Sequence, residues 1–343
     1  MQRQLNIDVH VTGAQRHRQL CEDVRVGLAA THKHTNPAWF YDDEGSHLFD
    51  EITRLPEYYP TRTERAILLR HAAAIADATA ADTLVEIGSG TSEKTLVLLD
   101  AMADAGNLRR VVLFDISEDV LVAAAATLNR RYGVDVHAVV GDFRQHLPLV
   151  PAGGTQLWVF LGGTIGNLGP NDRRALLSTI RAQMGTSGHL LLGTDLVKES
   201  ERLLAAYDDA AGVTAAFNRN VLAVLNRELN ATFDPGLFDH RVVWNSEESW
   251  IEMRLRAREP HSVHIGDLGM RLELGDGEEI MTEISAKFTP WQIAEELAAV
   301  GLSCRGTWRD DAGDFQVTLA QPGASTTGSP QKSRQKVPTA RAK

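Results

Sequence analysis

The strongest constraint in this chain is an alternation. From residue 83 onward, short apolar runs take turns with stretches of helical period. "TLVEI" is followed by "SEKTLVLLDAMADA", and "RVVLFDI" by "SEDVLVAAAATLNRRY"; "VDVHAVVGDF" comes next, then "TQLWVFLGGT" with "NDRRALLSTIRAQM", then "GHLLLGTDLV". Strands that are apolar on both faces belong in a parallel sheet covered by helices on each side. Such sheets bind ligands beyond the carboxyl ends of their strands. Gly88, Asp115, Asp142 and the turn "GGTIGN" all fall at such ends. The alternation therefore predicts a doubly wound, mostly parallel α/β sheet and the edge on which its ligand sits.

Outside this stretch the pattern changes. Residues 1–60 read as irregular, with helical patches and aromatic loops. Thr61 and Glu64 in "TRTE" have capping-box spacing ahead of the helix "ERAILLRHAAAIADA". Residues 201–230 read as helical and 240–288 as antiparallel strands, while "PWQIAEELAAVGL" is a helix and "DFQVTLAQ" a strand that can complete the sheet. The expected layout is a nucleotide-type domain over 62–200 plus 286–321. An α+β lobe would then be formed by 1–61 plus 201–285. The tail 322–343, rich in Ser, Thr, Gly, Pro and Lys, has the composition of a disordered basic segment.

Charge narrows the partners. The formal net charge is −10, and the tail, with five basic and no acidic residues, leaves the remainder more acidic still. An acidic body repels phosphate backbones, so nucleic acid is not the expected partner; a cationic or zwitterionic small molecule fits better. Two distant cysteines, Cys21 and Cys304, make neither a disulfide framework nor a zinc motif. The start lacks the apolar core of a signal peptide, and no apolar run approaches membrane-spanning length. The expectation is a cytoplasmic monomer with no membrane partner. His32 and His34 form an H-x-H in a polar loop without an evident third ligand, so no metal is expected.

The loop "GSGTSEKT", Gly88 to Thr95, identifies the ligand by what it lacks. A phosphate loop requires glycine where Glu93 stands, because backbone amides must close on the phosphates. The dinucleotide pattern fails at the same residue. What remains is E-x-G-x-G, Glu86 to Gly90, at the end of the first strand of the alternation. Asp115 at the next strand end can accept from both ribose hydroxyls. Asp142 and Phe143 in "GDF" suit the amino group and ring face of adenine. The ordered set resembles the S-adenosylmethionine-dependent methyltransferases, whose cationic cofactor agrees with the acidic body.

Longer segments carry a closer resemblance. "WFYDDEGSHLFDEITRLPEYYPTRTE", "EIGSGTSEKT", "FLGGTIGNLGP", "LLLGTDLVK", "YDDAAGVTAAFNRNVL" and "MTEISAKF" look like the L-histidine Nα-methyltransferases of ergothioneine biosynthesis. The similarity runs from about Val24 to Leu319. It implies trimethylation of the α-amino group of L-histidine, through mono- and dimethylated forms, to hercynine, with the substrate between two lobes. It implies that Gly88 touches the cofactor through its backbone and that Lys94 meets the cofactor's carboxylate. For the substrate it implies Tyr58, Asn167, Tyr207, Glu283, Ile284 and Ser285, with Tyr58 and Asn167 nearest the chemistry. Glu283 and Ser285 would serve the two ring nitrogens of histidine. Tyr41, Phe49, Thr214 and Met253 are further candidates for pocket walls. Two alternatives stand beside this reading: an Nα-methyltransferase of the same fold acting on another amino acid such as tryptophan, or a non-catalytic cofactor-binding protein.

Overall fold

The computed structural model describes residues 4–89 and 93–323. Gly90, Thr91 and Ser92 of the glycine loop, and all of the basic tail beyond Gly323, lie outside the described residues. The strands are β1 (Leu5–Val9), β2 (Thr83–Ile87), β3 (Arg110–Asp115), β4 (Asp135–Val140), β5 (Gln156–Phe160), β6 (His189–Asp195), β7 (Phe238–Asn245), β8 (Trp250–Ala257), β9 (His261–Ile265), β10 (Met270–Leu274), β11 (Glu279–Ala286), β12 (Leu302–Arg309) and β13 (Phe315–Pro322). The helices are α1 (Gly13–Ala29), α2 (Asp43–Ile52), α3 (Pro60–Thr79), α4 (Glu93–Asp104), α5 (Glu118–Tyr132), α6 (Phe143–His146), α7 (Pro170–Gln183), α8 (Ser200–Tyr207), α9 (Val213–Leu229) and α10 (Pro290–Ala299).

Eight strands form one sheet in the order β1-β4-β3-β2-β5-β6-β13-β12. All run parallel except β13, which is antiparallel to both of its neighbours. The central strands β2 and β5 are buried at every position, which is what their unbroken apolar runs require. The order reverses at β2, whose neighbours are β3 and β5. That reversal opens a crevice at the carboxyl ends of β2 and β5, the place where such sheets take ligands. The sheet's two faces carry separate apolar cores.

A third core joins α1, α2, α8 and α9 to a three-stranded antiparallel sheet, β11-β8-β7, and to the β9–β10 ribbon. Among the described residues no helix is long and apolar enough to cross a membrane.

Four local expectations change. Residues 5–9, read as irregular and placed with the second lobe, form β1 on the edge of the large sheet beside β4. Its outward Leu5, Ile7 and Val9 are exposed, so it lacks the apolar run that marks a buried strand. β12 was likewise not anticipated; its mostly exposed, polar face hides the strand pattern. The helical run 201–230 is two helices. Asp209 accepts from the backbone N–H groups of Val213 and Thr214 at 3.0 and 2.8 Å, which starts α9 afresh. Finally, Thr61 and Glu64 do not form a capping box. The helix α3 begins at Pro60 with no side-chain cap, and Glu64 is fully buried, turned toward other donors.

Candidate active site

Two groups of residues meet at the carboxyl edge of the large sheet. The first is set by strand ends. Gly88 follows β2 with φ +68°, and open space lies where a side chain would begin. A left-handed backbone with nothing over it is what close approach of a ligand needs. Glu86 of the E-x-G-x-G motif is buried and accepts from the Thr95 hydroxyl, tying the strand to α4 across the loop. Asp115 ends β3 half-buried and accepts from the Ser117 amide at 3.0 Å. Asp142 caps α6, and the Arg144 guanidinium reaches both of its oxygens. Phe143 turns toward the core, with its ring 6.2 Å from that of Phe160. A cavity of about 280 Å³ opens beside Ile116, Asp142 and Arg144, walled by Gln15, Arg16 and Gln19 of α1 and by Trp39.

Lys94 has a partner. Its ammonium lies 2.5 Å from the carboxylate of Glu64, which also accepts from the backbone N–H of Gly162 at 2.9–3.0 Å. A fully buried carboxylate is costly unless donors surround it. Lys94 and Gly162 supply them, which is why Glu64 leaves the helix cap. The pair fixes Lys94 at the crevice between β2 and β5.

The second group gathers around β11 of the three-stranded sheet. Along β11 and just beyond it, Glu283, Ser285 and Lys287 share one face because side chains alternate on a strand. They line a small pocket with Tyr41, Phe49, Tyr58, Asn167, Asp195 and Tyr207. Of the substrate residues expected from sequence, Tyr58, Asn167, Tyr207, Glu283 and Ser285 therefore converge here. Ile284 is not among the lining residues, because the alternation turns it to the opposite face. Met253 is buried in the core that joins α1, α2, α8 and α9 to the three-stranded sheet, and Thr214 sits in the first turn of α9; neither lines the pocket. Tyr41 and Phe49 do, packed edge to face at 5.7 Å, and Tyr58 meets Tyr207 the same way at 6.1 Å. Asn167 is brought in by the 164–167 turn, which lies so close to β11 that a Cβ at Gly166 would sit 2.8 Å from the Ala286 carbonyl oxygen.

Behind this face lies a buried polar cluster that the sequence reading did not single out. The Lys287 ammonium donates to the Tyr207 hydroxyl and the Ser285 hydroxyl, each at 2.8 Å, and lies 3.0 Å from Asp195. Tyr207 and Ser285 also bond each other at 2.8 Å. Asp195 takes in addition the Lys198 ammonium at 2.5 Å and the Tyr59 hydroxyl at 2.8–2.9 Å. One signal could have found Lys287: it continues the period-two series Glu283, Ser285 in "TEISAK".

Burial sets the protonation states. Desolvation pushes the Glu283 carboxyl up to about 7, against the pull of Lys287, so it exchanges a proton near neutrality. Desolvation, reinforced by surrounding negative groups, raises Tyr41, Tyr58 and Tyr207, and all three stay neutral phenols. Burial opposes ionisation of Asp195, but Lys287 and Lys198 outweigh it and hold its carboxyl below the usual range.

A family model described as "Histidine-specific methyltransferase, SAM-dependent" matches residues 20–322. The chain is 55% identical over 302 residues to a histidine N-alpha-methyltransferase of Mycolicibacterium smegmatis, covering 88% of this chain and 94% of that protein. Against the protein of the same description from Mycobacterium tuberculosis it is 54% identical over 305 residues, covering 89% and 95%. A more distant similarity, 29% over 242 residues, joins 67% of this chain to 29% of the Schizosaccharomyces pombe protein named "Ergothioneine biosynthesis protein 1".

Proposed function

This chain belongs to the S-adenosylmethionine-dependent, histidine-specific methyltransferases, and we propose that it transfers three methyl groups in succession to the α-amino group of L-histidine, giving hercynine. That product places it in ergothioneine biosynthesis. The observation that carries the reading is the pocket itself: Glu283 and Ser285 on one strand face, opposite Tyr207, Tyr58 and Asn167, at the carboxyl edge of the large sheet.

The strand-end residues fit the cofactor. Gly88 offers open backbone and Asp115 a ribose acceptor; Asp142 borders the cavity and would take the adenine amino group, while the Phe143 ring, packed toward Phe160, would have to turn to meet the adenine face. Lys94, held by Glu64, keeps N–H groups for the cofactor's carboxylate. When bound, S-adenosylmethionine supplies an electrophilic methyl group on a sulfonium.

The remaining work falls to the pocket. Asn167 carries both a donor and an acceptor and can serve the substrate's amine and carboxylate. The Tyr207 hydroxyl donates to the carboxylate. Ser285 and Glu283 take the two imidazole nitrogens. Because Glu283 titrates near 7, it suits a ring whose own proton exchanges in that range. The α-amine needs only a modest push to its free base, since chain amines titrate at roughly 8; orientation supplies most of the acceleration. Tyr58 remains a phenol, so its contribution is a ring face and a hydroxyl rather than a phenolate base. Tyr41, Phe49, Tyr58 and Tyr207 form walls suited to a permanent trimethylammonium group.

An indole offers one donor and greater bulk, so the Glu283–Ser285 pair favours imidazole over tryptophan. The test is methyl transfer by the purified chain over a panel of amino acids. Histidine is expected to give the highest kcat/KM; a preference for tryptophan, or turnover of none, defeats the reading.

A further inference from the structure

The cluster behind Tyr207 and Ser285 does not balance its charge. Lys287, Asp195 and Lys198 have side chains 1%, 4% and 5% exposed. One carboxylate thus faces two ammonium groups. Two further acids act on the cluster: Asp314, already paired with Arg202, and Glu283, which faces the pocket from the same strand and which burial pushes up to about 7, so that it does not fully cancel the second ammonium at neutral pH. Buried charge left unanswered is costly, so a cluster carrying one surplus positive charge is built for an anion that arrives with a ligand.

Hydrogen-bond accounting says where that anion sits. An ammonium only donates, and Lys287 spends its three donors on Asp195, Tyr207 and Ser285. Both hydroxyl oxygens therefore accept from it. Their mutual bond uses one of the two hydroxyl hydrogens. One hydroxyl hydrogen is left for a ligand, and the hydroxyl that has donated keeps only acceptor capacity.

We propose that Lys287 is a positioning residue: it supplies the counter-charge for the substrate's α-carboxylate and orders the hydroxyls so that Tyr207 donates to that carboxylate while Ser285 accepts from an imidazole N–H. The inference rests on the histidine site described above. It adds a charged residue that acts through Tyr207 and Ser285, because its three donors are spent within the cluster.

The test uses two probes that divide histidine. Imidazolepropionate keeps the ring and the carboxylate; histamine keeps the ring and the amine. Lys287→Gln retains a donor and removes the charge. It is expected to raise the histidine KM 10-fold or more, the scale of a lost charge-assisted interaction, and to weaken inhibition by imidazolepropionate as much. Inhibition by histamine should change less than threefold, and calorimetric affinity for S-adenosylmethionine should not change. Lys287→Arg should recover most of the imidazolepropionate binding. If Lys287→Gln does not fold, Lys287→Met, which fills the same space without a charge, carries the same comparison. Equal losses for the two probes, or an unchanged histidine KM, overturn the proposal. Tyr207→Phe separates this outcome from failure of the site itself: if that variant binds both probes like the parent chain, the histidine site is misplaced.

Discussion

At the ends of β2, β3 and β4 the chain offers backbone and single carboxylates, each next in sequence to the strand that places it. On the face of β11 it offers side chains that meet only after segments near residues 41–58, 164–167, 195–207 and 283–287 have packed together. The first region gets its geometry from the sheet. The second gets it from buried ion pairs, Lys198 and Lys287 with Asp195 beneath the pocket. Cofactor binding should therefore tolerate loss of the polar clusters better than substrate binding does, and the substrate side should be the part of the molecule most sensitive to charge.

Asp195→Ala breaks this comparison hardest. It strands two buried lysines, and a stability loss of about 3–5 kcal/mol is expected by denaturant unfolding, the usual cost of orphaning a buried pair. Less than 1 kcal/mol would mean that the cluster is not the keystone described. Glu283→Ala comes next. A 10-fold or larger rise in histidine KM is expected, about 1.5–3 kcal/mol for a hydrogen bond to a charged group, with cofactor affinity unchanged. Asp115→Ala is the mirror image: calorimetry should show S-adenosylmethionine binding weakened about 10-fold while histidine selectivity persists. If either variant damages both ligands equally, the two regions are not separable.

The remaining effect is on pH. Glu283 titrates at about 7 in the fold, above its ordinary value of 4.5. The folded state thus holds this proton more tightly than the unfolded chain does. Glu283's contribution is intact below about 4.5 and is lost as the pH rises through about 7. Glu283→Gln, which cannot ionise, should be more stable than the parent chain at pH 8 by about 2–3 kcal/mol, with the gap closing toward pH 4.5. Parallel stability curves would show that Glu283 is not desolvated.

The same contrast explains what the sequence could tell. The large sheet was legible because β2 to β6 are apolar runs joined by helices, and its strand-end residues follow from topology alone. β1 and β12 escaped because their exposed faces carry no such run. Glu64 was misread because capping-box spacing is a local signal, and a buried lysine partner from α4 overrode it. The substrate residues were found through resemblance, since nothing in the spacing of Tyr58, Asn167 and Tyr207 announces that they meet. Asp195 and Lys287 lay inside the segments "LLLGTDLVK" and "MTEISAKF" that carried the resemblance. Their pairing is a property of the packed molecule, and only the period of two along β11 hinted at Lys287.

The most direct measurement follows the atoms of the acceptor. Histidine labelled with ¹⁵N at the α-amine and the ring is incubated with the chain and S-adenosylmethionine, and the product is read by mass and NMR. Three methyl groups on the α-nitrogen and none on the imidazole are expected. Methylation of a ring nitrogen, or arrest after one methyl group, would contradict a pocket that grips the ring at Glu283 and Ser285 and leaves the amine among aromatic walls.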